Sequence, residues 1–83
     1  MSQTALIKKG TTIYMYEIES GEGNEYPDFE IIVGDDILQS DDDYEEYNGT
    51  LVVSEEEVDD AIYYYMQERY PDVYDYTINI EDN

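Results

Sequence analysis

Alternating apolar and polar residues predict β-strands along most of the chain. Residues 11–19, with the sequence TTIYMYEIE, are rich in β-branched and aromatic side chains on both faces, which predicts a strand in the centre of a sheet. Residues 20–28 hold two glycines and a proline and predict the loop to a second strand over residues 29–33. A turn is expected at residues 34–36. Residues 73–80 alternate most regularly, with Tyr74, Tyr76, Ile78 and Ile80 on one face, and predict a half-buried final strand.

The middle of the chain predicts a hairpin beside an acidic loop. Residues 37–40 are a candidate for a short third strand, and residues 41–46 form an acidic loop. Asn48 and Gly49 then give the strongest hairpin signal of the sequence, before a strand over residues 50–53. Residues 1–10 are interpreted as a lead-in or an edge strand.

One helix is predicted over about residues 55–70. Ser54 and Glu57 have the spacing of a capping box, and acidic residues follow where the helix dipole is positive. Five apolar side chains then recur at helical spacing, which defines one buried face: Val58, Ala61, Ile62, Tyr65 and Met66. Pro71 ends the helix, because proline disfavours a helical conformation in the preceding residue.

These elements predict a single α+β domain over residues 1–83. We expect a mostly antiparallel sheet of three to five strands with the helix packed on one face, in the order β-β-(β)-β-α-β. A chain of 83 residues is normally one domain with a small core.

Charge changes the picture more than any motif does. The chain has 23 acidic residues and three cations, so its net charge is −20. Acidity of this degree is typical of disorder, but a hydrophobic content of 41% and eleven tyrosines favour a folded domain. Solubility alone asks for a net charge of roughly 2–8. The excess therefore predicts a function for the negative surface.

Several classes of site and location are disfavoured by the residues themselves. The chain has no cysteine and no histidine, so the commonest nucleophile, general base and transition-metal ligands are missing. A calcium-binding EF-hand loop starting at Asp41 fails, because Glu46 and Val52 stand where glycine and glutamate are needed. We therefore expect no enzyme activity, no cofactor and no specific metal site. The longest apolar runs cannot span a bilayer, and the first ten residues do not form a signal peptide.

The charge density approaches that of a nucleic acid. Duplex DNA carries one charge per ~1.7 Å, so twenty charges correspond to ~34 Å of duplex. A compact domain of this length has a radius of gyration of ~12 Å and is ~30 Å across. We expect such a body to fit the basic groove of a nucleic-acid-binding protein and to avoid nucleic acids and anionic membranes.

In size, acidity, tyrosine content and scarcity of lysine and arginine, the whole chain resembles the phage-type DNA-mimic proteins. Members of that class block restriction enzymes, CRISPR effectors or other host DNA-binding proteins. The resemblance implies an inhibitor in the cytoplasm of a host cell, acting through its anionic surface on a basic partner. It does not fix the oligomeric state, which is monomer or dimer.

The acidity is also compatible with three different kinds of protein. An acidic adaptor could bind a basic protein without imitating DNA, and a halophilic domain could carry this charge because molar salt screens it. A carboxylate-based enzyme is the third alternative. Duplex DNA would compete with a mimic for its target but not with an adaptor. A halophilic domain would need molar salt to fold, and an enzyme would lose turnover when one carboxylate is changed.

The predicted partner-binding surface combines acids of the turn, the loop and the helix with tyrosines expected to be exposed. The acids are Asp35, Asp36, Asp41, Asp42, Asp43, Glu45, Glu46, Glu55, Glu56, Asp59, Asp60 and Glu68. The tyrosines are Tyr44, Tyr47, Tyr63 and Tyr64.

Overall fold

The structure, a computed structural model, describes residues 5–81 and confirms an α+β fold with one helix and antiparallel strands. Its strands form two three-stranded sheets, where the sequence predicted one sheet. The elements are β1 Leu6–Lys8, β2 Thr12–Ser20, β3 Phe29–Ile32, a 3-10 helix Asp41–Asp43, β4 Glu45–Tyr47, β5 Thr50–Ser54, α1 Glu55–Arg69 and β6 Val73–Glu81.

The first sheet has the strand order β1-β5-β4 and contains the predicted hairpin. Asn48 and Gly49 have φ angles of 51° and 78°, which is the left-handed geometry that a two-residue hairpin turn requires. β1 forms the opposite edge, so part of residues 1–10 is an edge strand, as one of the two interpretations had it. Residues 1–4 of that segment lie outside the described residues.

The second sheet has the strand order β3-β2-β6 and confirms β2 as a central strand. Ile13 and Met15 are fully buried on its inner face. Tyr14 and Tyr16 lie on the outer face, because successive residues of a strand point to opposite sides.

The third strand predicted at residues 37–40 does not form. Ile37 makes only an isolated bridge to Val33, and Leu38 then adopts a left-handed φ of 50°. The backbone N–H of Gly34 donates to the Ile37 carbonyl, so the segment closes a tight turn instead of extending along a sheet. The prediction was wrong because two adjacent apolar residues, Ile37 and Leu38, do not distinguish a strand from a turn that buries one of them.

The alternation predicted for the final strand fails at Tyr74. This side chain was expected on the buried face, but it is 69% exposed. The pairing of β2 with β6 shifts register twice, between Tyr16 and Glu19 and between Glu19 and Ser20, and Tyr74 has no partner residue in β2. Such bulges turn the local side chains away from the regular pleat.

Helix α1 begins and ends within one residue of the prediction. The Ser54 hydroxyl accepts a hydrogen bond from the Glu57 N–H at 3.3 Å, which caps the first turn. Val58, Ile62 and Met66 are buried in the core, and Ala61 and Tyr65 pack beside it partly exposed. One core thus joins the helix to both sheets. No helix among residues 5–81 is long and apolar enough to cross a membrane.

Asp72 holds the loop between β2 and β3 in place. Its carboxylate accepts hydrogen bonds from the Ser20 hydroxyl at 2.5 Å, the Asn24 amide at 2.8 Å and the Tyr26 hydroxyl at 2.7 Å. These hydrogen bonds hold the pKa of Asp72 well below its usual range, and the one from Ser20 has the largest effect. The ring of Tyr26 also meets Tyr70 edge-on at 5.2 Å, so the loop is fixed to the helix end.

Candidate partner-binding surface

The predicted acids are on the surface, as a contact role requires. Eleven of the twelve are exposed, and Glu55 is half-buried at the start of the helix. Their distribution over the elements decides which of them could meet one partner.

The helix aligns one continuous line of predicted residues. Glu56, Asp60, Tyr64 and Glu68 follow at steps of four, so they lie along one side of α1 and are here called the helix stripe. At ~1.5 Å of rise per residue the stripe is about 18 Å long. All four side chains are exposed.

A second side of the helix points toward β6. Tyr63 and Asp59 lie there, and Tyr63 lines a groove of about 500 Å³ together with Tyr74 and Tyr76. Burial raises the pKa of Tyr76, and the negative charge of Asp59 raises it further. Asp59 therefore belongs to a different part of the surface from the helix stripe.

The turn after β3 adds one acid to the helix stripe. Asp36 lines the same depression of about 360 Å³ as Tyr64 and Glu68, beside Arg69. The Asp36 carboxylate also accepts a 2.7 Å hydrogen bond from the Ile32 N–H, which fixes its position. Asp35 lies elsewhere, in a depression that it shares with Lys9.

The acids of residues 41–46 do not form a loop, which corrects the prediction. Asp41, Asp42 and Asp43 form the 3-10 helix, while Glu45 and Glu46 belong to β4 and point to opposite faces of the first sheet. Asp41 is paired with Lys9 at 2.5 Å. One flat partner surface could therefore not contact all five acids together.

Tyr44 was predicted to be exposed and is only 8% exposed. Its hydroxyl donates a 2.5 Å hydrogen bond to the Leu38 carbonyl, and the Lys9 ammonium lies 5.7 Å from the centre of its ring. Burial raises the pKa of Tyr44, and the negative charges of Asp43 and Asp41 raise it further. The side chain is part of the core, so the predicted exposure of Tyr44 was wrong.

The remaining three predicted tyrosines have the expected exposure. Tyr47, Tyr63 and Tyr64 are each more than half exposed. Tyr63 and Tyr64 meet edge-on at 5.6 Å, although they lie on the two sides of α1 described above. Tyr47 lies on β4, in the first sheet.

The outer face of the second sheet was not among the predicted contact surfaces. Tyr14 pairs with Glu30 on one side and Asn79 on the other, and Thr12 pairs with Glu81. No lysine or arginine of the chain belongs to β2, β3 or β6. The sequence does contain a signal for this surface, because Tyr14 and Tyr16 fall at the positions of β2 that face away from the buried Ile13 and Met15.

The described acids do not assemble a metal site. Among residues 5–81 no group of three or more histidine, cysteine, aspartate or glutamate side chains could hold a metal ion. The acids thus repel one another on the surface without converging on one point.

The molecule is longer than a sphere of its size. Its radius of gyration is 13.6 Å and its principal extents are 45 × 29 × 20 Å, against the ~12 Å and ~30 Å expected for a compact domain.

Comparison of the chain with protein-family models, with curated protein sequences and with solved structures finds no match.

Proposed function

We propose that this chain is a non-enzymatic inhibitor that occupies the nucleic-acid-binding surface of a host defence protein, such as a restriction enzyme or a CRISPR effector. It acts as a DNA mimic: its carboxylates take the places of backbone phosphates. Its partner is a basic protein, and the site of action is the host cytoplasm.

The density of charge along the body carries the proposal. A net charge of −20 over a length of 45 Å is about one charge per 2.3 Å, close to the ~1.7 Å of duplex DNA. A groove that binds duplex DNA through lysine and arginine would attract this body by the same forces.

Exposed acids of the 3-10 helix and of α1 are available to such a groove. Within residues 5–81, Lys9 and Asp41 form a salt bridge, whereas Asp42, Asp60 and Glu68 stand exposed without a cation at salt-bridge distance. Carboxylates that are not neutralised within the molecule can pair with the cations of a partner. Long-range attraction would also speed the encounter at low salt.

The proposal is tested by inhibition of a purified DNA-cutting enzyme. Plasmid cleavage by a type I restriction enzyme and by a Cas9 effector is measured while the chain is titrated at 50 mM and 200 mM salt. We expect inhibition that a higher concentration of the plasmid substrate relieves, because the plasmid and the chain compete for the same groove. Proteins that contact 6–10 phosphates lose about 10³–10⁵ in affinity over this range of salt, and inhibition should weaken with a comparable slope.

The competition separates mimicry from the adaptor alternative. Polyglutamate at equal charge concentration is the control, because it has the charge without the folded shape. If the chain binds a basic target and duplex DNA does not displace it, the chain is an adaptor and the mimic proposal is wrong. If polyglutamate inhibits equally well, the folded arrangement contributes nothing.

A further inference from the structure

The outer face of the second sheet presents two tyrosines of β2 beside Glu30 of β3 and Asp28, which directly precedes β3. Tyr14 lies on the central strand and is 38% exposed, and Tyr16 follows two residues later on the same face. Glu30 stands directly opposite Tyr14 on β3. Side chains on the strands of a sheet are held more precisely than those on loops.

A depression of about 250 Å³ opens on this face. It is lined by the two tyrosines, by Asp28 and Glu30, and by Met15 and Phe29 beneath them. It is small for a separate ligand but large enough for one long side chain of another protein. Its charged groups are all negative, so the complementary occupant is a cation.

The spacing of the tyrosines favours a flat cation. Residues two apart in a strand are roughly 6.6–6.8 Å apart, slightly less than the about 7–8 Å between two rings that hold a planar group in contact with both. A guanidinium stacks on aromatic faces and also donates paired hydrogen bonds to carboxylates. A lysine ammonium has the charge but not the plane.

We propose that Tyr14, Tyr16, Asp28 and Glu30 form a docking cradle for an arginine side chain of the partner protein. The guanidinium stacks between the rings of Tyr14 and Tyr16 and donates hydrogen bonds to the carboxylates of Asp28 and Glu30. The cradle gives a definite orientation to a complex that general charge attraction would leave undetermined. This inference rests on the proposed function, since it names the contact that a basic partner makes.

The test uses a hexa-arginine peptide as the probe and the full chain as the receptor. Peptide is titrated at low salt while the ring signals of the tyrosines are followed by NMR. We expect the Tyr14 and Tyr16 ring signals to shift further than the exposed Tyr47 ring. Hexa-lysine at equal concentration should shift them less than half as far.

Two matched double variants separate the cradle from general attraction. Tyr14→Ala with Glu30→Gln changes the cradle, and Tyr47→Ala with Glu46→Gln makes the same chemical change on β4. We expect the first pair to weaken peptide binding at least threefold relative to the second. Because Tyr14 is partly buried, Glu30→Gln alone is compared with Glu46→Gln alone, and both side chains are exposed.

Equal weakening by the matched variants would overturn the cradle, as would ring shifts at Tyr14 and Tyr16 no larger than at Tyr47. That result would leave DNA competition intact, so the mimic proposal would survive it. Conversely, the cradle could bind arginine as expected while duplex DNA fails to displace the chain from its target. That result would contradict the mimic proposal and leave the cradle intact.

Discussion

Tyr44 lies in the most acidic run of the sequence, yet its ring is part of the core. Acids on both sides of a tyrosine normally indicate solvent exposure. The hydroxyl of this side chain is hydrogen-bonded to the Leu38 carbonyl, and its ring lies 5.7 Å from the ammonium of Lys9, which is far away in sequence. A local pattern cannot reveal such a contact, so exposure could be predicted for Tyr47 but not for Tyr44.

Removing the Tyr44 hydroxyl should destabilise the fold without emptying the core. Tyr44→Phe keeps the ring but leaves the Leu38 carbonyl without its 2.5 Å hydrogen bond. We expect the free energy of unfolding to fall by about 1 kcal/mol, which lowers Tm by roughly 4–8 °C in a domain of this size. Thermal unfolding followed by circular dichroism measures it. Tyr47→Phe is the control, and an equal effect there would show that the Leu38 hydrogen bond contributes nothing.

Asp72 should give the domain a loss of stability in acid. Hydrogen bonds from Ser20, Asn24 and Tyr26 hold the pKa of Asp72 below its unfolded value of about 3.9. A group with a lowered pKa in the folded state stabilises the fold above the unfolded pKa, and that contribution is lost as the pH falls through the folded pKa. Between pH 4 and pH 2 the stability of the unmodified chain should therefore fall relative to that of Asp72→Asn.

Urea unfolding at pH 6, 4, 3 and 2 measures this difference. Asp42→Asn is the matched control, because it removes the same charge from an exposed position on the 3-10 helix. The control should follow the acid response of the unmodified chain. If Asp72→Asn loses stability in acid as steeply as the unmodified chain, the hydrogen-bond network does not favour the charged form.

At the scale of elements, the sequence predicts those whose signals are local. The helix is recognisable from the Ser54 cap and the buried positions Val58, Ile62 and Met66, and the hairpin from Asn48 and Gly49. The division into two sheets has no local signal. It depends on β1, a strand of three residues that pairs with β5 far along the chain.

Gly49 should be costly to replace in the turn of the β4–β5 hairpin. Its φ of 78° suits glycine, and nothing lies within 4 Å of the position that a Cβ would take, so the cost of Gly49→Ala is one of backbone conformation alone. We expect a loss of about 1–2 kcal/mol in urea unfolding. Gly21→Ala is the control, because its φ is not positive and the added methyl meets only ordinary contacts. A smaller loss at Gly49 than at Gly21 would contradict the assigned turn.

For the whole molecule, composition predicts the amount of charge but not its arrangement. The sequence pattern grouped residues 41–46 as one contact surface, whereas Tyr44 turns inward and Glu45 and Glu46 point apart. The helix stripe was implicit in the spacing of Glu56, Asp60 and Glu68. The cradle required the register of β2 with β3, which places Tyr14 beside Glu30.

The net charge of −20 should make stability depend strongly on salt. At 0.01 M salt the Debye length is ~30 Å, so carboxylates across most of the 45 Å body repel one another; at 1 M it is ~3 Å. We expect the chain to be folded at 0.1 M sodium chloride and its Tm to rise on the order of 10 °C between 0.01 M and 1 M.

A variant with fewer charges tests whether screening is the cause of that rise. Asp42→Asn, Glu46→Gln, Asp60→Asn and Glu68→Gln together remove four exposed charges from three elements. This variant should have a higher Tm at 0.01 M salt and a shallower rise, because fewer like charges remain to be screened. An unchanged slope would mean that salt acts through burial of apolar surface and not through charge. A chain that is unfolded at 0.1 M and folds only in molar salt would instead be a halophilic domain, whose acidity serves folding in brine and not a basic partner.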